Sequence, residues 1–473
     1  MELTRLVDES SVAGAVLAGP RPSGVDIRSI TYDSRRVGDN TLFVCVAGLV
    51  VDGHEFAEAA VAAGAVALVV ERVLSIDVPQ LLVADARVAM ASLAATLYGS
   101  PSQGLTVIGV TGTNGKTTTV HLLDSVLREH GWATGVIGTL TGVRTTPEAP
   151  ELQTQLAAWR DEGRQAVTME VSSHALALHR VDAMRFAVAV FTNLSRDHLD
   201  FHGTMERYFD AKARLFSPVL TEQAVVNADD PHGQLLLDAA QVPTTPYSFS
   251  EVDGLEVTAA SSSFSWRGHR IVVPIGGRHN VSNALAAATA AGALGIAIPT
   301  IAAGIGNAGP VPGRFEPIDE GQRFSVVVDY AHTPDGLQRV LAAAREVAGG
   351  NRVIVVFGCG GDRDRTKRPA MGIAAVEGAD LAVVTSDNPR SEDPAAIIDE
   401  IVAGVSRSSA LTVEPDRRTA IGIAFEAAGD GDVVVIAGKG HESTQTIGES
   451  VVPFDDRVVA REELARLPGG GRT

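Results

Sequence analysis

One stretch, "LTVIGVTGTNGKTTTVHLLDSVLREHG" (105–131), limits the folds open to this chain more than any other. It reads as an apolar strand, a glycine-rich turn and an amphipathic helix. The turn holds Gly112, Thr113, Asn114 and Gly115, and Lys116, Thr117 and Thr118 open the helix. Backbone N–H groups in such a turn, together with the positive end of a helix dipole, suit a polyphosphate. Lys116 can reach terminal phosphates, and the Thr117 hydroxyl can ligate Mg²⁺. The spacing departs from the generic G-x-x-x-x-G-K-[ST] pattern. Val110 stands where the first glycine belongs, with Gly109 and Gly112 on either side. A surface lysine after a flexible turn would need no strand before it and no helix after it, so the context predicts a nucleotide site in an α/β domain.

Strand-like runs alternate with helix-length segments from about residue 105 onward, the mark of largely parallel sheets. The chain has 473 residues, enough for about three domains. Two Pro/Gly-rich stretches, "YGSPSQGL" (98–105) and "NAGPVPGRFEP" (307–317), read as joints. The expectation is an α/β protein with a small N-terminal α/β domain (1–103), a central P-loop domain (104–313) and a Rossmann-like C-terminal domain (314–473). Aromatic residues make up only 5%, so the cores must rest on Ala, Val, Ile and Leu. The net charge of −18 argues against nucleic acid or an anionic membrane as partner. Two cysteines far apart, Cys45 and Cys359, indicate neither a disulfide framework nor a thiolate zinc site. "MELTRLVDES" lacks the pattern of a signal peptide, and no apolar run is long enough to span a bilayer. A soluble cytoplasmic protein is expected, with "LPGGGRT" as a disordered tail.

In the C-terminal third, the strands "FSVVVDY", "RVIVVFG", "LAVVTS" and "DVVVIAG" each run into a polar or glycine-rich loop. In an open parallel sheet these loops lie along the carboxyl edge, where ligands bind. Arg363, Arg390 and Glu442 can therefore converge although they lie 27 and 52 residues apart. The loop "TSDNPRSEDP" adds Asp387, Asn388 and Pro389, and "GKGHE" adds Gly438. In the central third, "AVTMEVSSH" is a strand ending in Glu170, a position suited to the nucleotide's Mg²⁺. "FTNLSRDHLDFHG" gathers Asp197, His198, Asp200 and His202, where one or two metal or phosphate ligands could sit among structural residues. Lys212 lies four residues from both Tyr208 and Phe216. By spacing alone it is a snorkelling side chain over apolar surface.

Taken together, "TGTNGKTT", "MEVSSH", "NLSRDHLDFHG", "YFDAKARLF", "HNVSNALAA", "PVPGRFE", "VDYAHTP", "GCGGDRD", "DNPRSEDP" and "GKGHE" stand in the order of the Mur ligases. The chain resembles that family over essentially its whole length, and most closely the branch that adds the third residue of the peptidoglycan stem peptide. The family's phosphate loop, T-G-T-N-G-K-T, accounts for Val110. The resemblance implies ATP at the central domain, with Asn283 and Arg314 near its adenine and phosphates and Asp329 near its ribose. It implies UDP-N-acetylmuramoyl-L-alanyl-D-glutamate across the first two domains, with Ser34 at the uridine end and Thr145, Thr146, Ser172 and Arg180 at the peptide and pyrophosphate. Glu170 and His198 match Mg²⁺ ligands, which the Thr117 hydroxyl of the phosphate loop would join. Lys212 matches a lysine carboxylated by CO₂ to a carbamate, which turns a cation into an anionic ligand. Lys116, His198 and Lys212 are the implied catalytic set. Arg363, Asp387, Asn388, Pro389, Arg390, Gly438 and Glu442 match the pocket for the incoming amino acid.

D-N-P-R at Arg390 goes with meso-diaminopimelate, whose distal carboxylate suits a guanidinium fork. L-Lysine is the alternative substrate. A folate-glutamating relative would lack the "YDSRRVGDNTLFVCVAG" domain, and a catalytically silent switch would not need Lys116, Glu170, His198 and Lys212 together. Two departures stand out: Leu178 replaces a glutamine, and Leu49, Val50 and Val51 replace a His-Gln-Ala stretch at the uracil. The implied route phosphorylates the D-Glu γ-carboxylate, and the amine then attacks the acyl phosphate. A monomer is expected.

Overall fold

A computed structural model describes residues 1–20, 22–48, 51–405 and 410–467. Leu49, Val50 and all but the first residue of the "LPGGGRT" tail lie outside the described residues.

Three α/β units follow one another. The first has a five-stranded sheet of β1 (Val16–Ala18), β2 (Ser29–Thr31), β3 (Thr41–Val44), β4 (Ala65–Val70) and β5 (Gln80–Leu82), in the order β1-β5-β4-β3-β2. Only β1 runs antiparallel to its neighbour. The second has six parallel strands: β6 (Thr106–Thr111), β7 (Thr134–Ile137), β8 (Ala166–Glu170), β9 (Phe186–Phe191), β10 (Thr221–Asn227) and β11 (Thr244–Tyr247). Their order is β11-β10-β9-β6-β8-β7. A small antiparallel sheet follows, made of β12 (Asp253–Val257), β13 (Ser262–Trp266) and β14 (His269–Val273). It interrupts the expected strand–helix alternation. Its strands are short, β12 and β13 lack an unbroken apolar run, and the turn Arg267–Gly268 has positive φ at both residues, as a tight hairpin requires.

The third unit comprises β15 (Glu316–Ile318), β16 (Ser325–Asp329), β17 (Val353–Phe357), β18 (Leu381–Val384), β19 (Leu411–Val413) and β20 (Val433–Ala437), ordered β15-β16-β20-β17-β18-β19. All except β15 are parallel. A hairpin of β21 (Thr444–Ile447) and β22 (Ser450–Pro453) is appended. The strands "VIVVF" and "VVVIA" are buried at every position, because helices cover both faces of a parallel sheet. The predicted strands thus fall where expected, and β20, β17 and β18 are neighbours. Their carboxyl ends carry the Glu442, Arg363 and Arg390 loops side by side.

The N-terminal unit has apolar clusters of its own. The second and third units share one continuous cluster, running from Ile108 and Val120 through the alanines of the helix Arg278–Ala293 to Val327, Val340 and Val355. Small side chains at that crossing let the units approach closely, consistent with so few aromatics. Both cysteines are buried and free, and none of the described helices is long and apolar enough to cross a membrane.

Candidate active site

The phosphate loop leaves β6 and turns into the helix Lys116–Glu129, whose first turn has no side-chain cap. Its free N–H groups therefore face the loop, ready for an anion. Gly112 (φ 151°) and Gly115 (φ 86°) are required on two counts. Their conformations are unfavourable for other residues, and a Cβ would collide with Thr192 Oγ1 at the first and with Asn283 Oδ1 at the second. Asn283 thereby lies against the loop. Asn193 fixes the loop's shape: its Oδ1 accepts from Asn114 N (3.0 Å), its Nδ2 donates to Asn114 O (3.1 Å) and its carbonyl accepts from Thr113 N (2.9 Å). Thr113 shares a further hydrogen bond with the Tyr208 hydroxyl (3.1 Å). Thr118 is buried in the first helical turn.

Lys116 Nζ curls back to donate to the carbonyls of Gly112 (2.9 Å) and Thr113 (2.8 Å). Burial lowers its pKa, with Glu170 and Asp197 opposing. Thr117 Oγ1 donates to Glu170 Oε1 (3.0 Å) and accepts from Arg314 Nη2 (3.1 Å). Glu170, at the carboxyl end of β8 and 1% exposed, also accepts from Thr139 N (2.8 Å). Arg314 lies over the Tyr330 ring (4.5 Å to the centroid), and its Nε is buried without a partner. The Asp329 oxygens accept from Phe315 N and Ala331 N, both at 2.8 Å.

Lys212 departs most from expectation. It does not snorkel: it is 1% exposed, with Nζ donating to Gly112 O (2.9 Å) and lying 4.7 Å from the centroid of the Tyr208 ring. The α-helix ends at Ala213 and continues as a 3₁₀ turn, so the four-residue spacing to Phe216 does not hold. Phe216 packs instead on Phe191. Burial first, and the nearby Lys116 cation second, push the Lys212 pKa well below the ordinary lysine value.

His198 sits beside Asp197 (3.4 Å) and edge-on to His174. Burial lowers its pKa, favouring the neutral imidazole that binds metals. His202 is committed to the fold through Ser173 Oγ (2.9 Å), and Asp200 is exposed. Among the described residues no three His, Cys, Asp or Glu side chains are grouped to hold a metal. Thr117, Glu170, His198 and Lys212 nevertheless line one cleft of about 250 Å³ with Asn283, Arg314 and Asp329. Hydroxyl and carboxylate oxygens suit Mg²⁺, which keeps several of its own waters.

A second cluster adjoins this cleft. Thr145 shares a hydrogen bond with Thr139 (3.0 Å). Thr146 Oγ1 donates to Glu170 O (2.9 Å) and accepts from Ser172 N (3.1 Å). Arg180 Nη1 donates to Thr146 O (3.0 Å). Ser34 opens a 3₁₀ turn on the N-terminal unit, outside the cleft. Two contacts to the central unit flank it, Arg144 to Tyr32 (2.9 Å) and Arg36 to Glu151 (2.7 Å).

A third cluster forms on the C-terminal edge. Arg390 is held in a left-handed conformation (φ 51°), its N–H donating to Thr446 O (3.0 Å) and Nη1 to Gly361 O (2.6 Å). Asn388 Nδ2 donates to Glu442 Oε2 (2.7 Å) and to Asp387 Oδ1 (3.1 Å). Gly438 is kept bare by Asp387, whose Oδ2 would lie 2.9 Å from a Cβ there. Pro389 O closes against Gly361. Arg363 is exposed and donates only to Asp362 O (3.1 Å), so it lies beside the cluster without bonding to it. Sequence reasoning missed Thr192, Asn193, Thr139, the buried pair Arg417–Asp456 and the pair of buried Arg368 with partly exposed Glu392 beneath this edge. A polar residue directly after a buried strand was the available signal for Thr192 and Asn193.

This combination of a strand–loop–helix phosphate cradle, a buried lysine beside it and a polar cluster on the next sheet fits an amide-forming ligase of the Mur type. Family models match three segments: the Mur ligase family catalytic domain over residues 26–98, the Mur ligase middle domain over 110–291 and the Mur ligase glutamate ligase domain over 313–440. The chain belongs to the Mur ligase family. It is 48% identical to the UDP-N-acetylmuramoyl-L-alanyl-D-glutamate–2,6-diaminopimelate ligase of Geobacillus thermodenitrificans, over 93% of this chain and 95% of that one. A solved structure of a ligase of that name superposes with a TM-score of 0.65 at 35% identity, covering 93% and 94% of the two chains. The Thermotoga maritima MurF ligase in complex with ADP shares the fold at 20% identity (TM-score 0.63; 93% and 97% covered).

Proposed function

We propose that this chain joins meso-2,6-diaminopimelate to UDP-N-acetylmuramoyl-L-alanyl-D-glutamate, with ATP converted to ADP and phosphate. Relatives at 48% identity over nearly the whole chain carry that name, and the convergence of Thr117, Glu170 and Lys212 beside an uncapped helix N-terminus is the observation that carries the chemistry. Segments 1–103, 104–313 and 314–473 act as the UDP-substrate, ATP and amino-acid domains of a cytoplasmic monomer.

ATP lies along residues 112–118, with its adenine and ribose toward Asn283 and Asp329 and Arg314 at its phosphates. The unpartnered Arg314 Nε is a donor still to be used. Mg²⁺ held by Thr117, Glu170, His198 and carboxylated Lys212 would neutralise phosphate charge when bound. Lys212 suits carboxylation because burial beside the Lys116 cation depresses its pKa and so raises the fraction of neutral amine, the form that reacts with CO₂. The terminal phosphoryl group passes to the D-Glu γ-carboxylate, forming an acyl phosphate. Such a transfer needs positioning and charge stabilisation, which Lys116 supplies. Thr145, Thr146, Ser172 and Arg180 orient the peptide and pyrophosphate, and Ser34 meets the uridine end. Diaminopimelate lies in the Arg390 cluster, its distal carboxylate on Arg390 and its amino-acid end near Asn388 and Glu442. Its amine attacks the acyl carbon, and phosphate leaves.

The test is phosphate release from ATP with the UDP-dipeptide, with and without diaminopimelate. Release that does not depend on the amino acid contradicts the proposal.

A further inference from the structure

Glu148 stands at the start of the helix Ala149–Asp161, where a side-chain acceptor ordinarily caps free N–H groups. It makes no such cap. Its carboxylate is buried, 5% exposed, and turns toward three arginines. Arg180 Nη2 lies 2.7 Å and Arg144 Nη1 3.4 Å from Oε1, and Arg87 Nη1 lies 3.7 Å from Oε2. Arg87 belongs to the N-terminal unit, on the helix Ala86–Leu97 that packs against the helix Glu148 precedes. Arg144 adds a second tie to that unit through the Tyr32 hydroxyl (2.9 Å).

Arg87, Arg144 and Arg180 surround Glu148 and Arg36 pairs with the neighbouring Glu151 (2.7 Å), so four guanidinium groups meet two carboxylates and a positive surplus remains at the joint. Three buried atoms there lack hydrogen-bond partners, Arg180 Nε, Glu148 Oε2 and Glu151 Oε2. Such atoms are uncommon in protein interiors, and here they cluster beside the residues placed at the UDP-substrate. Arg180 is fixed from two sides only, by Thr146 O and Glu148. Without Glu148, it would be a long side chain held by one carbonyl among other cations.

We propose that Glu148 is a positioning residue for the anionic UDP-substrate: it fixes Arg180 beside Thr146 and Ser172 and, through Arg87 and Arg144, ties the N-terminal unit to that site. This rests on the proposed function, since the oxyanion concerned is the UDP-dipeptide's. Glu148 itself repels the substrate, so its value lies in orientation. A deletion that merely removed negative charge would tighten binding instead.

The experiment measures KM for each of the three substrates in Glu148→Gln, Glu148→Asp, Arg180→Lys and the Glu148→Gln/Arg180→Lys double variant, with thermal midpoints alongside. Losing one charge-assisted hydrogen bond in Glu148→Gln is expected to raise KM for the UDP-dipeptide ~10-fold. KM for ATP and diaminopimelate should stay within about twofold, because Glu148, Arg87, Arg144 and Arg180 do not line the ATP cleft and make no contact with the Arg390 cluster. Glu148→Asp, which keeps the charge, is expected to fall between, and covers the case in which the glutamine variant does not fold. The double variant should lose less than the product of the single losses, since both act on one group. An unchanged or lower KM for the UDP-dipeptide in Glu148→Gln overturns the inference. So does a parallel rise in all three KM values with a lowered midpoint. Wild-type chain without diaminopimelate-dependent turnover overturns the proposed function and this inference with it, whereas active wild type with an indifferent Glu148 overturns the inference alone.

Discussion

Replacing Lys212 by methionine separates stability from catalysis at this site. The side chain is 1% exposed, and its one hydrogen bond goes to the Gly112 carbonyl at 2.9 Å. Of the charges acting on it, the repelling Lys116 cation outweighs the attracting Asp197. The hydrogen bond returns at most ~1.5–3 kcal/mol, the range for a charged donor, whereas keeping the amine buried costs more, either as a poorly compensated ammonium or as the proton given up on folding. Methionine has nearly the same length and keeps the contact with the Tyr208 ring. Lys212→Met is therefore expected to leave stability unchanged or to raise it by up to ~2 kcal/mol. Turnover should fall at least ~10²–10³-fold, the usual consequence of removing a preorganised electrostatic group at the reacting centre. A pH series adds a signed check. The folded-state pKa of Lys212 is depressed, so between that value and the unfolded value of about 10.4 the unfolded chain binds more protons. Stability should rise with pH through that window in wild type, and Lys212→Met should lack that part of the slope. Urea unfolding in CO₂-depleted buffer and phosphate release are the assays. A variant destabilised by more than about 2 kcal/mol, or one keeping a tenth of wild-type turnover, refutes the reasoning.

Gly112→Ala should cost about 2–4 kcal/mol, from the strained φ and the collision with Thr192, and should abolish ATP binding by calorimetry. Arg390→Ala should lower kcat/KM for diaminopimelate roughly 10–100-fold with ATP affinity retained, and an unchanged kcat/KM removes Arg390 from the pocket. The paired Arg368 holds the Glu392 pKa down to about 2, so Glu392 contributes stability above its unfolded pKa that is lost as pH falls through about 2. Glu392→Gln should accordingly cost ~1 kcal/mol at pH 7, the partial exposure of the pair reducing the effect, and the difference should vanish in acid.

The sequence displayed most of this site because its parts are local. The loop 112–118 carries its strand, turn and helix within a few residues, and the C-terminal strands announce themselves as unbroken Val/Ile runs. What stayed hidden depends on packing across long separations. Lys212 reads as an ordinary amphipathic lysine, and only the tertiary fold places it under Gly112, a hundred residues away. Asn193 and Thr192 shape the phosphate loop from the next strand, and Glu148 looks like a helix cap until Arg87 and Arg180 are seen around it. The antiparallel β12–β14 sheet went unread because β12 (DGLEV) and β13 (SSFSW) mix polar with apolar residues and β14 (HRIVV) offers only three apolar residues in a row, short of the runs that betray the parallel strands.

The central claim is the identity of the amino acid. Purified chain given ATP, Mg²⁺ and UDP-N-acetylmuramoyl-L-alanyl-D-glutamate should be offered meso-diaminopimelate and L-lysine in equal amounts, and the product mass measured. A product heavier than the starting nucleotide by one diaminopimelyl residue, with at most a trace of the lysyl product, is the expected result. A predominantly lysyl product, or none at all, contradicts the account.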